Sequence, residues 1–258
     1  MSIKMTEGLA TPWMKPWLTD GLESVPHCPV CGETDREILH SDLIDNVFRV
    51  APGKWKLWKC AKCSGAYLDP RPNKTTIHLA YANYYTHQEA FGKDDYGSLS
   101  QLRKLRRRLV NGYANWRYGT RADPSSALGV VAAFAMPTLK KVIDHQYRHL
   151  PRLPKGGGRL LDVGCGNGSF LDLARTCGWD VIGLDPDPMA AANAAKQGFT
   201  VHEGGIEYFA GKTALFDVIT MNHVIEHVHD PVKVLEACQA LLKPGGQLWL
   251  ETPNIDSF

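Results

Sequence analysis

Leu160-Leu161-Asp162-Val163-Gly164-Cys165-Gly166-Asn167-Gly168-Ser169 joins a short apolar run to three glycines at alternate positions. The run fits a fully buried strand. Glycines at its end mark a turn into a helix, where a ligand can lie against the backbone. A dinucleotide fingerprint, G-x-G-x-x-G, would need its third glycine at Ser169, but the spacing here is G-x-G-x-G. Asp162 stands two residues before the first glycine. A carboxylate there opposes a pyrophosphate and suits a cation, so the expected ligand is positively charged.

Outward from this loop the sequence alternates strand and helix. Strands are expected at 159–163, 181–185, 199–202, 216–221 and 246–251, with helices at 168–177, 187–197, 206–210 and 231–242. That rhythm predicts an α/β, Rossmann-like, doubly wound and mainly parallel sheet with helices on both faces. The most evident linker is Lys155-Gly156-Gly157-Gly158. It predicts four parts: an arm (1–26) pinned by Trp13 and Trp17, a small ribbon (27–72), a helical insert (73–155) and the sheet domain (156–258).

The glycine run resembles the first motif of class I S-adenosylmethionine-dependent methyltransferases. The resemblance implies that Gly164, Gly166 and Gly168 let the amino-acid part of the cofactor lie on the backbone, with Asp162 helping to hold its ammonium group. Asp185, in Val181-Ile182-Gly183-Leu184-Asp185-Pro186, takes the place of the acid that accepts hydrogen bonds from the ribose hydroxyls. Phe216 to Asn222 looks like the family's fourth strand, and Lys243-Pro244-Gly245-Gly246 like the turn before the fifth. The usual acid after the third strand is not clear in His202-Glu203-Gly204-Gly205-Ile206-Glu207, so the adenine contact is assigned to the backbone of Gly205 or Ile206. Pro186 and Asn222 complete the expected cofactor residues. The family's sheet has seven strands, whereas only seven residues, Thr252 to Phe258, follow the fifth strand here. The expectation is a domain truncated to about five strands, with an uncovered edge and weak activity.

Asn222-His223-Val224-Ile225-Glu226-His227-Val228-His229-Asp230 lies at the carboxyl end of the fourth strand, where such sheets place their chemistry. His223 and His227 are the catalytic candidates. His223 either acts as a general base, since imidazole titrates near neutral pH, or only shapes the pocket. Glu226 and His227 either bind a divalent metal with substrate oxygens or shape the pocket floor by hydrogen bonds. The H-x-x-E-H spelling also matches an inverted zinc-protease motif, but that needs a long helix. A strand ending at Met221 and a helix starting at Pro231 leave too little room for one.

Four of the seven cysteines form two C-x-x-C knuckles, Cys28/Cys31 and Cys60/Cys63, separated by 28 residues. The odd total and the lack of a secretory h-region argue against a disulfide framework. Four thiolates suit tetrahedral zinc with no open position, so the ion is expected to be structural. A glycine after each pair (Gly32 and Gly65) is expected to permit the turn beneath the sulfurs. Cys165 is expected to pack rather than react. The CPVCG knuckle, the Leu68-Asp69-Pro70-Arg71-Pro72 run, Tyr84-Tyr85 and the methyltransferase motifs together resemble bacterial methyltransferases with an N-terminal zinc ribbon, often of polysaccharide or cell-envelope sugar pathways.

Between these parts, helices are expected over Thr75 to Tyr85, 98–118 and 126–149, the last kinked at Pro137. Tyr81, Tyr84, Tyr85 and His87 are placed either over the substrate pocket or in the core. Leu102 to Arg108 is strongly basic, and Ala127 to Met136 is apolar but too short to span a bilayer. The first suggests a solvated face or a contact with phosphate, membrane or RNA, the second a buried helix or one lying on a membrane. Charge is unevenly spread: 21 basic and 14 acidic residues precede Pro151, against 8 and 13 from Pro151 on. With 44% apolar and 22% charged residues the chain is globular, not disordered or fibrous.

The expected activity is methyl transfer to a small or carrier-linked acceptor such as a sugar, in the cytoplasm. Transmembrane segments and nucleic-acid partners are not expected, and a peripheral membrane contact is left open. The competing functions are an RNA methyltransferase, disfavoured because no N/D-P-P-[YF] amine-methylating signature follows Met221, and an inactive scaffold. Intact Asp162, Asp185 and loop glycines oppose the scaffold.

Overall fold

The computed structural model describes residues 16–46, 49–81 and 96–255. Trp13, Tyr84, Tyr85 and His87 lie outside them. The chain divides into two compact units, residues 1–85 with 229–232, and residues 86–228 with 233–258.

In the first unit, β1 (Leu22–Glu23) pairs antiparallel with β5 (Arg71–Pro72). β2 (Arg36–Leu43), β3 (Trp55–Cys60) and β4 (Ala66–Leu68) form an antiparallel ribbon in the order 2-3-4. Its apolar centre is small: Val25, Cys28, Cys60 and Tyr67, flanked by Cys31 and Trp58. Polar contacts reinforce it. Asp69 accepts the Val25 N–H at 2.8 Å and pairs with Arg36 at 2.7 Å, while Arg36 lies 4.0 Å above the Trp58 ring. Burial pushes the Asp69 carboxyl up, but the Val25 amide and Arg36 outweigh it and hold its pKa below the ordinary value. Trp17 is buried and meets Trp55 edge-on at 5.7 Å, which fixes the end of the arm. Of the helix expected at Thr75 to Tyr85, residues 75–81 are described, and Ile77–Tyr81 among them form a 3-10 turn. The Asn73 side chain starts that segment by accepting the Thr75 and Thr76 amides.

The second unit opens with α1 (Gln101–Tyr118), α2 (Leu128–Ala135) and α3 (Pro137–Gln146). The expected helix over 126–149 is thus two helices, because Pro137 cannot continue α2 and instead occupies the first turn of α3. Then come β6 (Arg159–Val163), α4 (Ser169–Thr176), β7 (Asp180–Asp185), α5 (Pro188–Lys196), β8 (Thr200–Glu203), β9 (Phe216–Asn222), α6 (Pro231–Leu241) and β10 (Leu242–Glu251). The expected helix at 206–210 is a 3-10 turn, Ile206–Phe209. The five strands lie in the order β10-β9-β6-β7-β8, and every pairing is parallel. β10 begins earlier than expected. Leu242 already pairs with Phe216, and a register shift then carries the chain past Pro244-Gly245 to Gln247 opposite Val218.

Side chains of a strand alternate between faces. Leu160, Val181 and Val218 join one buried cluster, while Leu161, Val163, Ile182, Ile219 and Met221 join the other. The first cluster also contains Tyr113, Tyr118, Ala133, Ile143, Tyr147 and Leu150. The three upstream helices are therefore built into the core of the sheet unit and are not a separate insert. Buried Asp144 ties them together, accepting hydrogen bonds from Tyr113 (2.9 Å), Tyr118 (2.7 Å) and Lys140 (2.6 Å). Lys155 to Gly158 lie inside the second unit, where the upstream helices share the sheet's apolar core.

Candidate functional site

Strand order reverses at β6, which has β7 on one side and β9 on the other. Such a switch point opens a crevice at the carboxyl ends of the strands, and the loops found there carry most of the expected residues. After β6 the chain turns sharply: the Gly164 and Cys165 amides both donate to the Leu184 carbonyl, at 2.7 and 3.0 Å. Gly164, Gly166 and Gly168 all have left-handed φ, of 71°, 55° and 83°. At Gly164 this freedom combines with crowding, since a Cβ there would stand 2.3 Å from Val224 Cγ2. The loop after β9 thus presses on the loop after β6. Gly168 caps α4. Cys165 is buried and burial pushes its thiol well above the ordinary value, so it packs.

Asp185 ends β7 with its side chain buried. One carboxylate oxygen accepts the Gly166 amide at 2.7 Å and the other the Asp187 amide at 2.9 Å, so the acid ties the two loops together. Burial raises its pKa against those two amides. Pro186 follows on the surface, and Asp187 caps α5 by accepting the Met189 amide. Beyond β8, Gly205 donates its amide to the Glu207 carboxylate at 2.9 Å, and Ile206 is buried at the start of the 3-10 turn.

Asp162 is fully buried. Oδ1 accepts the Thr220 hydroxyl at 2.8 Å and pairs with the Arg148 guanidinium, while Oδ2 has no hydrogen-bond partner among the described residues. Burial raises the carboxyl's pKa, and Arg148 and Thr220 draw it the other way. Arg148 stacks on Phe170 at 3.7 Å from the ring centre and comes from a turn in which it and His149 both hold left-handed φ, 47° and 50°. Sequence reasoning missed Arg148 and Thr220. Thr220 was detectable in principle, since period-two alternation puts it on the Asp162 face of the sheet. Arg148 gave no local signal.

A cleft of about 330 Å³ is lined by Arg148, Ser169, Phe170, Asn222, Trp249 and Glu251, with His145 and Gln146 at its side. His145 pairs with Glu251 at 2.8 Å. Neither catalytic candidate lines this cleft. His223 has left-handed φ (54°), donates its amide to the Glu251 carbonyl and faces Glu226 at 3.4 Å; His227 is 3.8 Å from the same carboxylate. Desolvation and nearby His223 hold the His227 pKa below the ordinary value, against the pull of Glu226. The third histidine of the run, His229, belongs to the first unit, where its ring nitrogen meets the Pro72 carbonyl at 3.1 Å.

In the first unit, Cys28, Cys31, Cys60 and Cys63 bring their sulfurs within 4.8 Å of one another, the closest pairs being 3.5 Å. A tetrahedral ion with bonds of about 2.3 Å sets its sulfurs about 3.8 Å apart, so the donors fit such an ion. Gly32 takes the left-handed turn under the first pair, at φ 74°. Under the second pair it is Ser64 (φ 60°), not Gly65, that does so. Gly65 is small for another reason: a Cβ would lie 3.3 Å from Cys63 Sγ.

A protein-family model described as "Methyltransferase domain" matches residues 138–258. The chain is similar to proteins named "Ubiquinone biosynthesis O-methyltransferase". That of Haemophilus ducreyi is 37% identical over 109 residues, covering 38% of this chain and 46% of the relative. That of Paraburkholderia phymatum is 41% identical over 105 residues, covering 38% and 45%. The chain thus spans just under half the length of these relatives. Among solved structures, a SAM-dependent methyltransferase from Archaeoglobus fulgidus is 29% identical, covering 46% of this chain and 54% of its own, with a TM-score of 0.40.

Proposed function

We propose that this protein, whose residues 138–258 match a family model described as a methyltransferase domain, is a class I S-adenosylmethionine-dependent methyltransferase that transfers a methyl group to a hydroxyl of a small acceptor. The observation that carries the cofactor assignment is Asp185. A buried carboxylate at the end of β7, tied to both the glycine loop and the following turn, offers its remaining lone pairs to a ribose. The glycine backbone fits a ligand lying on it. The orphaned Oδ2 of Asp162 fits an ammonium donor, directly or through water. Pro186, Gly205, Ile206 and Asn222 frame the adenosyl and methionyl ends in this assignment. The cofactor supplies a methyl activated by its sulfonium. The protein's task is then alignment of the acceptor and exclusion of water.

The hydroxyl acceptor rests on the relatives, which are named for an O-methyltransferase reaction. They do not favour the sugar acceptor expected from sequence, and an acceptor linked to a carrier remains within the proposal. His223 is retained as the base for that hydroxyl, with His227 and Glu226 setting its orientation, as their spacing supports. The four cysteines are proposed to hold one structural zinc ion. Calorimetric titration with S-adenosylmethionine tests the cofactor assignment: saturable one-to-one binding is expected, and absence of binding overturns it in favour of a scaffold. Methyl incorporation into phenolic against sugar acceptors then tests the acceptor class.

A further inference from the structure

We infer that the α1–α2 hairpin is a docking surface for an anionic lipid bilayer. The apolar run at Ala127 to Met136 forms α2, which is not buried on all sides. Gly129 and Ala133 face inward, while Leu128 (68% exposed), Val131 (65%) and Phe134 (57%) stand three residues apart on the opposite face. The helix is held in this position by close crossing with α1. A Cβ at Gly112 would lie 1.7 Å from the Ser126 carbonyl oxygen, and one at Gly129 2.0 Å from that of Leu109. Exposed Leu102 (80%) and Leu105 extend the apolar surface along α1, and half-exposed Trp116 meets the Phe134 ring edge-on at 5.9 Å.

Charge identifies the occupant. α1 carries Arg103, Lys104, Arg106, Arg107, Arg108 and Arg117 with no acidic residue, and α2 has no charge at all. Arg103, Arg106 and Arg108 are exposed, and Arg152 lies 5.7 Å from the Trp116 ring at the other end of the patch. Large aliphatic and aromatic side chains rimmed by cations are the composition of an interfacial helix. The apolar face enters the headgroup boundary and the cations meet phosphate. A second copy packed symmetrically on this face would bring like charges together. A nucleic acid would use the arginines and leave Leu128, Val131 and Phe134 without a role. At eight residues, about 12 Å, α2 lies on a bilayer and does not cross it, and no helix among the described residues is long and apolar enough to cross one.

Co-sedimentation of the full chain with phosphatidylglycerol/phosphatidylcholine vesicles tests this. The protein should pellet with them, much less with phosphatidylcholine alone, and less as salt rises. Val131→Glu should abolish binding, and Arg103→Ala and Arg106→Ala should each weaken it about fivefold, as about 1 kcal/mol per cation implies. Leu128→Glu serves as a second variant, and an unchanged circular dichroism melt shows that each variant folds. The inference is overturned by no binding to anionic vesicles, by binding that folded Val131→Glu and Leu128→Glu both retain, or by a concentration-dependent dimer that Val131→Glu dissolves. Salt-sensitive retention of RNA without vesicle binding overturns it equally.

Discussion

The ribbon and the sheet unit are stabilised by different means. Two of the four residues at the ribbon's apolar centre are cysteines, and its remaining order comes from Asp69, Arg36 and Trp58. The sheet unit buries large side chains on both faces of five strands, among them Tyr113, Ile143, Leu160, Leu161, Phe216 and Ile219. A segment of the ribbon's size buries little apolar surface to offset its chain entropy, which is the setting in which the proposed zinc would contribute most. The sheet unit holds its fold mainly through that apolar burial, with the buried Asp144 and Asp162 contacts added to it.

The largest effect should follow metal removal. Structural zinc contributes about 10–16 kcal/mol of apparent binding energy in small zinc modules at neutral pH. Chelation or Cys28→Ser should take elemental analysis from one zinc per chain to none and erase hydrogen-exchange protection in residues 22–72. Amides of β6 and β9 should stay protected, since their cores contain no knuckle residue. Protection retained in the ribbon would break the contrast.

Next comes the converse change in the sheet unit. Phe216 is fully buried against Phe209, and Phe216→Ala should cost about 3–5 kcal/mol. A thermal melt should show the loss, while zinc content remains at one per chain.

Asp185→Ala should weaken S-adenosylmethionine binding by about 1–3 kcal/mol, through lost charge-assisted hydrogen bonds, as read by calorimetry. Unchanged affinity would remove Asp185 from the site. Stability should fall too, since the Gly166 and Asp187 amides lose their acceptor.

The smallest effect concerns acid. Asp217 accepts hydrogen bonds from Lys243 and the Arg159 amide, which outweigh its burial and hold its pKa below the ordinary value. A lowered carboxyl pKa contributes stability above the unfolded value, near 4, that is lost as pH falls through the folded one. Asp217→Asn should therefore flatten the acid limb of the sheet unit's stability curve only slightly. A collapse near pH 4 that this substitution abolishes would show the unit to be as dependent on ion pairs as the ribbon.

The sequence by itself determined what is chemically local. Glycines at alternate positions after a buried strand, an acid at the end of the next strand and two cysteine pairs each lie within about ten residues, and steric and ligand-geometry rules act at that range. The strand rhythm was legible for the same reason, because alternation of faces is a property of each strand. The tertiary structure decided what depends on distant partners. Arg148 reaches Asp162 only because Tyr147 and Leu150 bury into the sheet's core, and Thr220 joins them from 58 residues away. Val224, far from the loop in sequence, crowds the place a side chain at Gly164 would occupy. The glycine-rich joint at 155–158 looked like a domain boundary because local flexibility shows in sequence, whereas the burial of Tyr113, Ile143 and Leu150 against Leu160 does not. Packing energy outweighs a flexible joint, and packing partners are chosen only when the chain has folded.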